Sequence, residues 1–265
     1  MFNPHYDHMR PGPTPERVLA ICRLLIANSL TEEEIRERIY LTKTPTTKIG
    51  EEFRNSINTA MELGLVSFKD NTYILSVPAE HLSTTVAFRR IVAKRVFSNK
   101  NSTFFRVSQW YVGSNESVFA YLNWEDKAAA AVKAGIDKIT ENDMLGWRFW
   151  ASFLGLGYIH GTEMIPNMYI RVRDVLATEF SQVYAYGEEI PADIFFAWLF
   201  DRIPEARMAD DSINLALSSA IRTLRDMDEV APLSLMDAVP MYLHNLPEDT
   251  TNKITHIVVK ESVCK

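Results

Sequence analysis

Residues 47–75 read TKIGEEFRNSINTAMELGLVSFKDNTYIL. In the first half, Ile49, Phe53, Ile57, Ala60 and Met61 recur every three to four positions, the period of one helix face, predicting a helix from about Thr47 to Leu63 that Gly64 ends. The second half alternates β-prone residues on either side of Lys69, Asp70 and Asn71, which accept tight-turn geometry, so a hairpin follows the helix. Upstream, past the loop TKTPTTK, Thr31 and Glu34 have the spacing of a capping box and open a short helix, EEEIRERIYL. Before that, Pro15 suits a first helical position, and Val18, Leu19, Ile21, Cys22, Leu25 and Ile26 form an apolar stripe. The preceding HMRPGPTP holds three prolines and a glycine and predicts an arm or tail without regular structure.

Three helices followed by a hairpin describe a winged helix, with the outer face of the third helix as the usual recognition surface. Its ending recurs, because ELGLVSF (Glu62 to Phe68) is echoed by FLGLGYI (Phe153 to Ile159). A helix carrying Leu145, Trp147, Phe149, Trp150 and Leu154 precedes the second copy, and a hairpin turning at His160, Gly161 and Thr162 follows it. A third region begins a helix at Pro191 that Pro204 stops, and the next helix, through Ile213, Leu217, Ala220, Ile221 and Leu224, takes Asp210 or Asp211 as its cap. The strand-like pieces APLSLM and ITHIVVK then flank a loop rich in Pro, Asn and Asp. The expected fold is mainly α with small β-hairpins (α+β), in tandem winged-helix-like units. These comprise an arm at 1–13, a winged helix at 14–80, a basic and aromatic helical linker at 81–140, and further units at 141–187 and 188–265.

With 265 residues, 47% hydrophobic and 23% charged, the chain can bury one large core or two to three small ones, and disorder is not expected. No apolar run approaches the length of a membrane span and no signal-peptide pattern opens the chain, so a cytoplasmic protein without membrane contact is expected. Cys22 and Cys264 lie far apart without ligand-like neighbours, which excludes a disulfide framework; Cys22 reads as a buried helical thiol.

The net charge of −6 argues against a generic DNA-coating protein, but its distribution is uneven. Between His81 and Asn115 there is no Asp or Glu, while Arg89, Arg90, Lys94, Arg95, Lys100 and Arg106 give a local +6, leaving −12 for the remainder. A helix over 84–97 would bury Phe88, Ile91, Val92 and Val96 and turn Arg89, Arg90 and Lys94 outward, with Lys100 and Arg106 in the next loop, a pattern suited to phosphate. The same stretch would equally dock on the protein's own acidic surface. Arg95 falls inside the apolar arc, so it must reach past the edge or pair with a carboxylate. On the third helix of the first unit, Lys48, Arg54, Asn55 and Asn58 are types that contact phosphate or base edges, although Glu51 and Glu52 would repel phosphate there. Trp110, Tyr111, Phe119, Tyr121 and Trp124 read as core more readily than as a base-stacking platform.

No catalytic signature is legible: there is no Walker-type loop, nucleophile elbow, dinucleotide glycine pattern or His-x-Glu with paired cysteines. Asp126, Asp137, Glu141 and Asp143 read as dispersed, solvated helix charges, and the histidines, including His5 and His8, lack metal spacing. A protein that is not an enzyme, without cofactor or metal, is expected.

The Pro-rich start before a winged helix, FRRIVAKRVFS after its wing, a helical middle and WRFWASFLGLGY together resemble the DpdG-type accessory proteins of bacterial loci that insert and guard 7-deazapurine bases in DNA. The resemblance implies a defence or restriction module beside helicase, ATPase and nuclease components, and it transfers no site residues. Two functions remain open on the sequence. One is a non-catalytic winged-helix subunit binding DNA, partner proteins or both; the other is an architectural adaptor, as beside SMC-like ATPases, without nucleic-acid contact.

Overall fold

The computed structural model describes residues 1–2, 9–40, 47–246 and 252–264. It is mainly helical with small antiparallel strand pairs, the expected α+β class. Two compact units divide the chain, one comprising Met1–Arg106 with Asn123–Phe153 and the other Val107–Leu122 with Leu154–Lys265. The segment 141–187 is thus shared between them.

In the first unit, α1 (Pro15–Leu24) is capped by the Thr14 hydroxyl, with proline at its first position, and α2 (Glu32–Tyr40) opens with reciprocal bonds between Thr31 and Glu34. The third helix, α3 (Thr47–Glu62), buries Phe53, Ile57 and Ala60 against Val18, Leu19, Ile21 and Cys22 of α1, the apolar stripes that the periodicity marked. Gly64 has φ +64°, and the Leu65 amide turns back to the Ala60 carbonyl, which closes the helix C-terminus. Strands β1 (Val66–Lys69) and β2 (Thr72–Leu75) pair across a turn whose two central residues, Asp70 and Asn71, are both left-handed, the requirement of a tight hairpin. Leu30, between α1 and α2, exchanges both backbone bonds with Tyr73, so β2 lies between Leu30 and β1.

Of the arm expected at the N-terminus, residues 9–13 are held against the first unit. The Met9 amide donates to the Asp143 carboxylate at 2.7 Å and the Trp150 indole donates to the Pro13 carbonyl at 2.7 Å, so residues 9–13 lie along α7 (Glu141–Phe153). Asp143 is therefore not the solvated charge expected from sequence: it is buried, accepts the Thr140 amide at the helix start, and fastens the arm. The unit is completed by α4 (Thr85–Ser98), the first part of α5 (Thr103–Gly113), and α6 (Trp124–Lys133).

The helix-to-hairpin ending recurs as the echo predicts. Gly155 has φ +82°, β3 (Gly157–His160) pairs with β4 (Glu163–Pro166), and the Asn167 amide reaches the Leu156 carbonyl as Ser76 reaches Leu65. The two hairpins have the same length, and their first strands have the same burial pattern.

The second unit holds α8 (Tyr169–Glu179), β5 (Glu189–Pro191), α9 (Ala192–Arg202) and α10 (Leu215–Asp226). Strands β6 (Val230–Leu233) and β9 (His256–Val259) pair with each other, and β5 adds to β9, giving the order β5-β9-β6. Between β6 and β9 the chain inserts a further pair, β7 (Met241–Tyr242) and β8 (Lys253–Ile254). The cap of α10 is Asn214, whose carboxamide accepts the Leu217 amide, rather than Asp210 or Asp211. Those residues sit in the preceding turn, where Asp211 adopts φ +55° and pairs with Arg207. Strand β6 also stops at Leu233, so Ser234 to Met236 of the expected APLSLM strand lie outside it.

Candidate nucleic-acid interface

Helix α4 follows the predicted apolar stripe except at Ile91, which is half-buried. The Thr84 hydroxyl accepts the Ala87 amide at 3.0 Å, and Phe88, Val92, Ala93, Val96 and Phe97 are buried. Lys94 and, in the turn beyond the helix, Lys100 are exposed, while Arg89 and Arg90 are half-buried. Arg95 takes neither expected route. Its guanidinium donates to the Leu63 carbonyl at 2.5 Å, so a side chain from α4 closes the open end of α3. Arg106 is exposed, and its guanidinium is held by the Gly135 carbonyl just after α6. Two of the six cations in the basic stretch thus turn to backbone carbonyls at or just beyond a helix end, which no carboxylate pattern would have pointed to.

The outer face of α3 is engaged locally. Arg54 remains largely exposed, with Nε 3.9 Å from the Glu32 carboxylate, and Glu32 also takes Arg36 at 3.4 Å. The Asn55 carboxamide accepts Arg10 of the arm at 3.3 Å, and Glu52 faces Arg17 at 3.5 Å. Asn58 is exposed. The side chain of Lys48, like His5 and His8, lies outside the described residues. The sequence did not mark Arg10: an arginine among prolines carries no periodic signal, and its target becomes visible only once the arm is seated.

Of the aromatic set, Tyr111 and Trp124 are core. Tyr111 donates to the Met164 carbonyl at 2.6 Å, and burial pushes its phenol above the ordinary range. Trp110 and Tyr121 are half-buried, and Phe119 is exposed. The set is not a continuous stacking surface.

The second unit carries a cleft of about 550 Å³ lined by Asn115, Glu116, Ser212, Tyr242, His244 and Asn252 among others. Its polar groups largely hold one another. His244 Nε2 lies 2.5 Å from the Glu116 carboxylate, the Asn115 carboxamide accepts the Leu215 amide at 2.8 Å, and Asn252 bonds Asn245. A backbone hydrogen bond, followed by the imidazole, holds the Glu116 carboxyl below its usual range. Among the described residues no cluster of His, Cys, Asp or Glu could hold a metal ion, and no helix is long and apolar enough to cross a membrane.

Helices α3, α7 and α10 differ in what covers them. Residues 9–13 lie along α7. Leu215, Ala216, Leu217, Ser218, Ala220, Ile221, Arg222 and Leu224 of α10 are buried, and the β7–β8 insertion adds to its cover, with the His244 amide donating to Ser218 and Arg222 donating to the His244 carbonyl, both at 2.8 Å. On α3, the polar residues Glu51, Arg54 and Asn58 are exposed.

The sequence matches the profile of the DpdG-like family over residues 9–237. The chain belongs to the DpdG-like family. The match spans residues 9–13 of the arm, the α3 hairpin, the basic stretch and the α10 region of this DpdG-like chain, and it fits the accessory role in a DNA-modification locus that the resemblance implied. No curated protein and no solved structure matches the chain.

Proposed function

We propose that this DpdG-like chain is a non-catalytic binding subunit of a DNA-restriction or anti-phage defence assembly, built of winged-helix-like units and touching DNA phosphates through the α4 segment. The scaffold reading is supported by strand order. After three helices, the strand between the first two pairs with the last strand, giving Leu30-β2-β1 in one place and β5-β9-β6 in another. The observation that carries the phosphate reading is that Lys94 and Lys100 stand exposed within a stretch, Leu82 to Ser114, that contains no carboxylate. Cations without neighbouring anions attract a phosphate backbone, and releasing its counterions makes such binding steeply salt-dependent. Binding of labelled duplex DNA across a salt series tests this: affinity should fall with salt and weaken when Arg89, Arg90 and Lys94 become Ala. An affinity unchanged in the triple variant would refute phosphate contact by α4.

A second reading, an architectural adaptor contacting ATPase, helicase or nuclease subunits and no nucleic acid, draws support from α3. Its candidate reading residues Arg54 and Asn55 face Glu32 and Arg10. That reading expects a co-purifying partner and no DNA shift at low salt.

A further inference from the structure

The β3–β4 hairpin has one sealed edge and one open edge. The Asn167 amide bonds to the Leu156 carbonyl, and ladder bonds fall on alternate pairs of an antiparallel ribbon. The pairs Tyr158–Ile165 and His160–Glu163 therefore carry the ladder, and the backbone N–H and C=O groups of Ile159 and Met164 point away from it. Two features agree with this: Pro166, which has no N–H to donate, falls at an outward position, and the Met164 carbonyl accepts the Tyr111 phenol at 2.6 Å. Met164 is the counterpart of Tyr73, whose outward groups bond Leu30, so Tyr111 takes on β4 the place that Leu30 takes on β2. At the opposite edge, the outward groups of Ile159 have no partner among the described residues.

Strands β1, β3 and β6 each follow a helix and lie at an edge of their sheets. An open edge accepts a further strand, and proteins blunt such edges with a charged residue or a proline. Strand β1 carries the exposed Lys69, and β6 carries Pro232. Strand β3 has neither. The sequence from Phe149 to Thr162 contains no Asp, Glu, Lys or Arg, and on β3 Tyr158 is 54% exposed, Ile159 37%, and His160 exposed as well.

The residue order selects the occupant. Gly157-Tyr158-Ile159-His160-Gly161 is nearly symmetric about Ile159, with glycine at both ends and an amphipathic ring on either side, so an antiparallel copy of the same strand meets it in register. We infer that β3 pairs with β3 of a second copy of this chain about a two-fold axis at Ile159. Each Ile159 then donates its N–H to the other and accepts in return, Tyr158 lies opposite His160 of the second copy, and glycine lies opposite glycine. The two hairpins form one four-stranded sheet, in the order β4-β3-β3-β4. Glu163, the nearest carboxylate in sequence, is on β4, so its two copies stand three strand spacings apart, roughly 14 Å, and do not oppose the contact. A contact this short and uncharged is weak and nearly independent of salt.

Sedimentation velocity on DNA-free protein tests this separately from phosphate binding by α4. The weight-average mass of the wild type should rise with concentration and change little with salt. Ile159→Lys sets two like charges directly opposite each other, as does Ile159→Glu, and each should weaken association roughly tenfold. An equimolar mixture of the two variants should associate again through a Lys–Glu pair, a rescue peculiar to a residue that faces itself. Ile159→Pro removes the outward N–H without touching a β3–β4 ladder bond and should abolish association, whereas Phe68→Lys on β1 should leave it unchanged. Ile159 is exposed, and circular dichroism with thermal melting confirms that each variant is folded. A wild type that stays monomeric at its highest attainable concentration overturns the inference, including the case in which a strand of a partner protein takes the edge instead. So does association that the folded Ile159 variants leave unchanged, or a mixture that associates no better than either variant alone.

Discussion

The Met9 carbonyl passes Gly146 so closely that a Cβ built on that glycine would lie 1.9 Å from the oxygen. Gly146 is the gap in α7 through which the arm reaches Asp143 and Pro13 reaches Trp150. Gly146→Ala should therefore displace the arm and cost about 3 kcal/mol, since a backbone group rather than a flexible side chain has to move. Urea unfolding gives the magnitude. Faster hydrogen exchange at the Trp150 indole would show that the arm has lifted, and exchange as slow as in the wild type would show that it has not.

Arg106 and Lys94 should separate in a salt titration of DNA binding. Lys94→Ala should lower the slope of log K against log salt by about one, while Arg106→Ala should leave it nearly unchanged because that guanidinium is held by the Gly135 carbonyl just after α6. Equal slopes for the two variants would remove the structural distinction between them.

Removing Arg95 should be a stability effect. Its guanidinium satisfies the Leu63 carbonyl at the end of α3, so Arg95→Ala should destabilise the protein by about 1–2 kcal/mol. The loss should appear in the unfolding midpoint, and Arg95→Lys, which offers a donor of different geometry, should recover part of it.

The two thiols should differ in reactivity. Burial pushes the Cys22 thiol up to about 12, so it stays protonated and shielded near neutral pH, whereas Cys264 is exposed. A disulfide reagent should titrate one thiol in the native protein and two in denaturant. Two fast-reacting native thiols would contradict the burial of Cys22 on the inner face of α1.

Glu205 gives a pH dependence of definite sign. Burial raises its carboxyl above the usual range, with Arg171 at 2.8 Å pulling the other way. Where the folded value exceeds the unfolded one, the folded state binds more protons between them. This group's contribution to stability is then full below the unfolded value and falls as pH rises through the window. Glu205→Gln removes the titration, so the stability of the wild type relative to the variant, read from urea midpoints, should fall as pH rises from acid toward neutrality. A wild type that gains stability relative to the variant as pH rises would show that the pairing with Arg171 dominates.

Much of the fold follows from the chain alone. The period of Phe53, Ile57 and Ala60, the Thr31 and Glu34 cap, the Pro15 start, and the two glycines Gly64 and Gly155 are local signals, because capping, turn geometry and helix periodicity act over a few residues. The α4 stripe was legible for the same reason. Tertiary structure decided what became of individual charges. Arg95 and Arg106 turn to carbonyls 32 and 29 residues away in sequence, Asp143 takes an amide 134 residues away, and the insertion before β9 folds onto α10. No window of sequence contains both members of such a pair, and a polar side chain takes its role from the group it meets once the elements have packed.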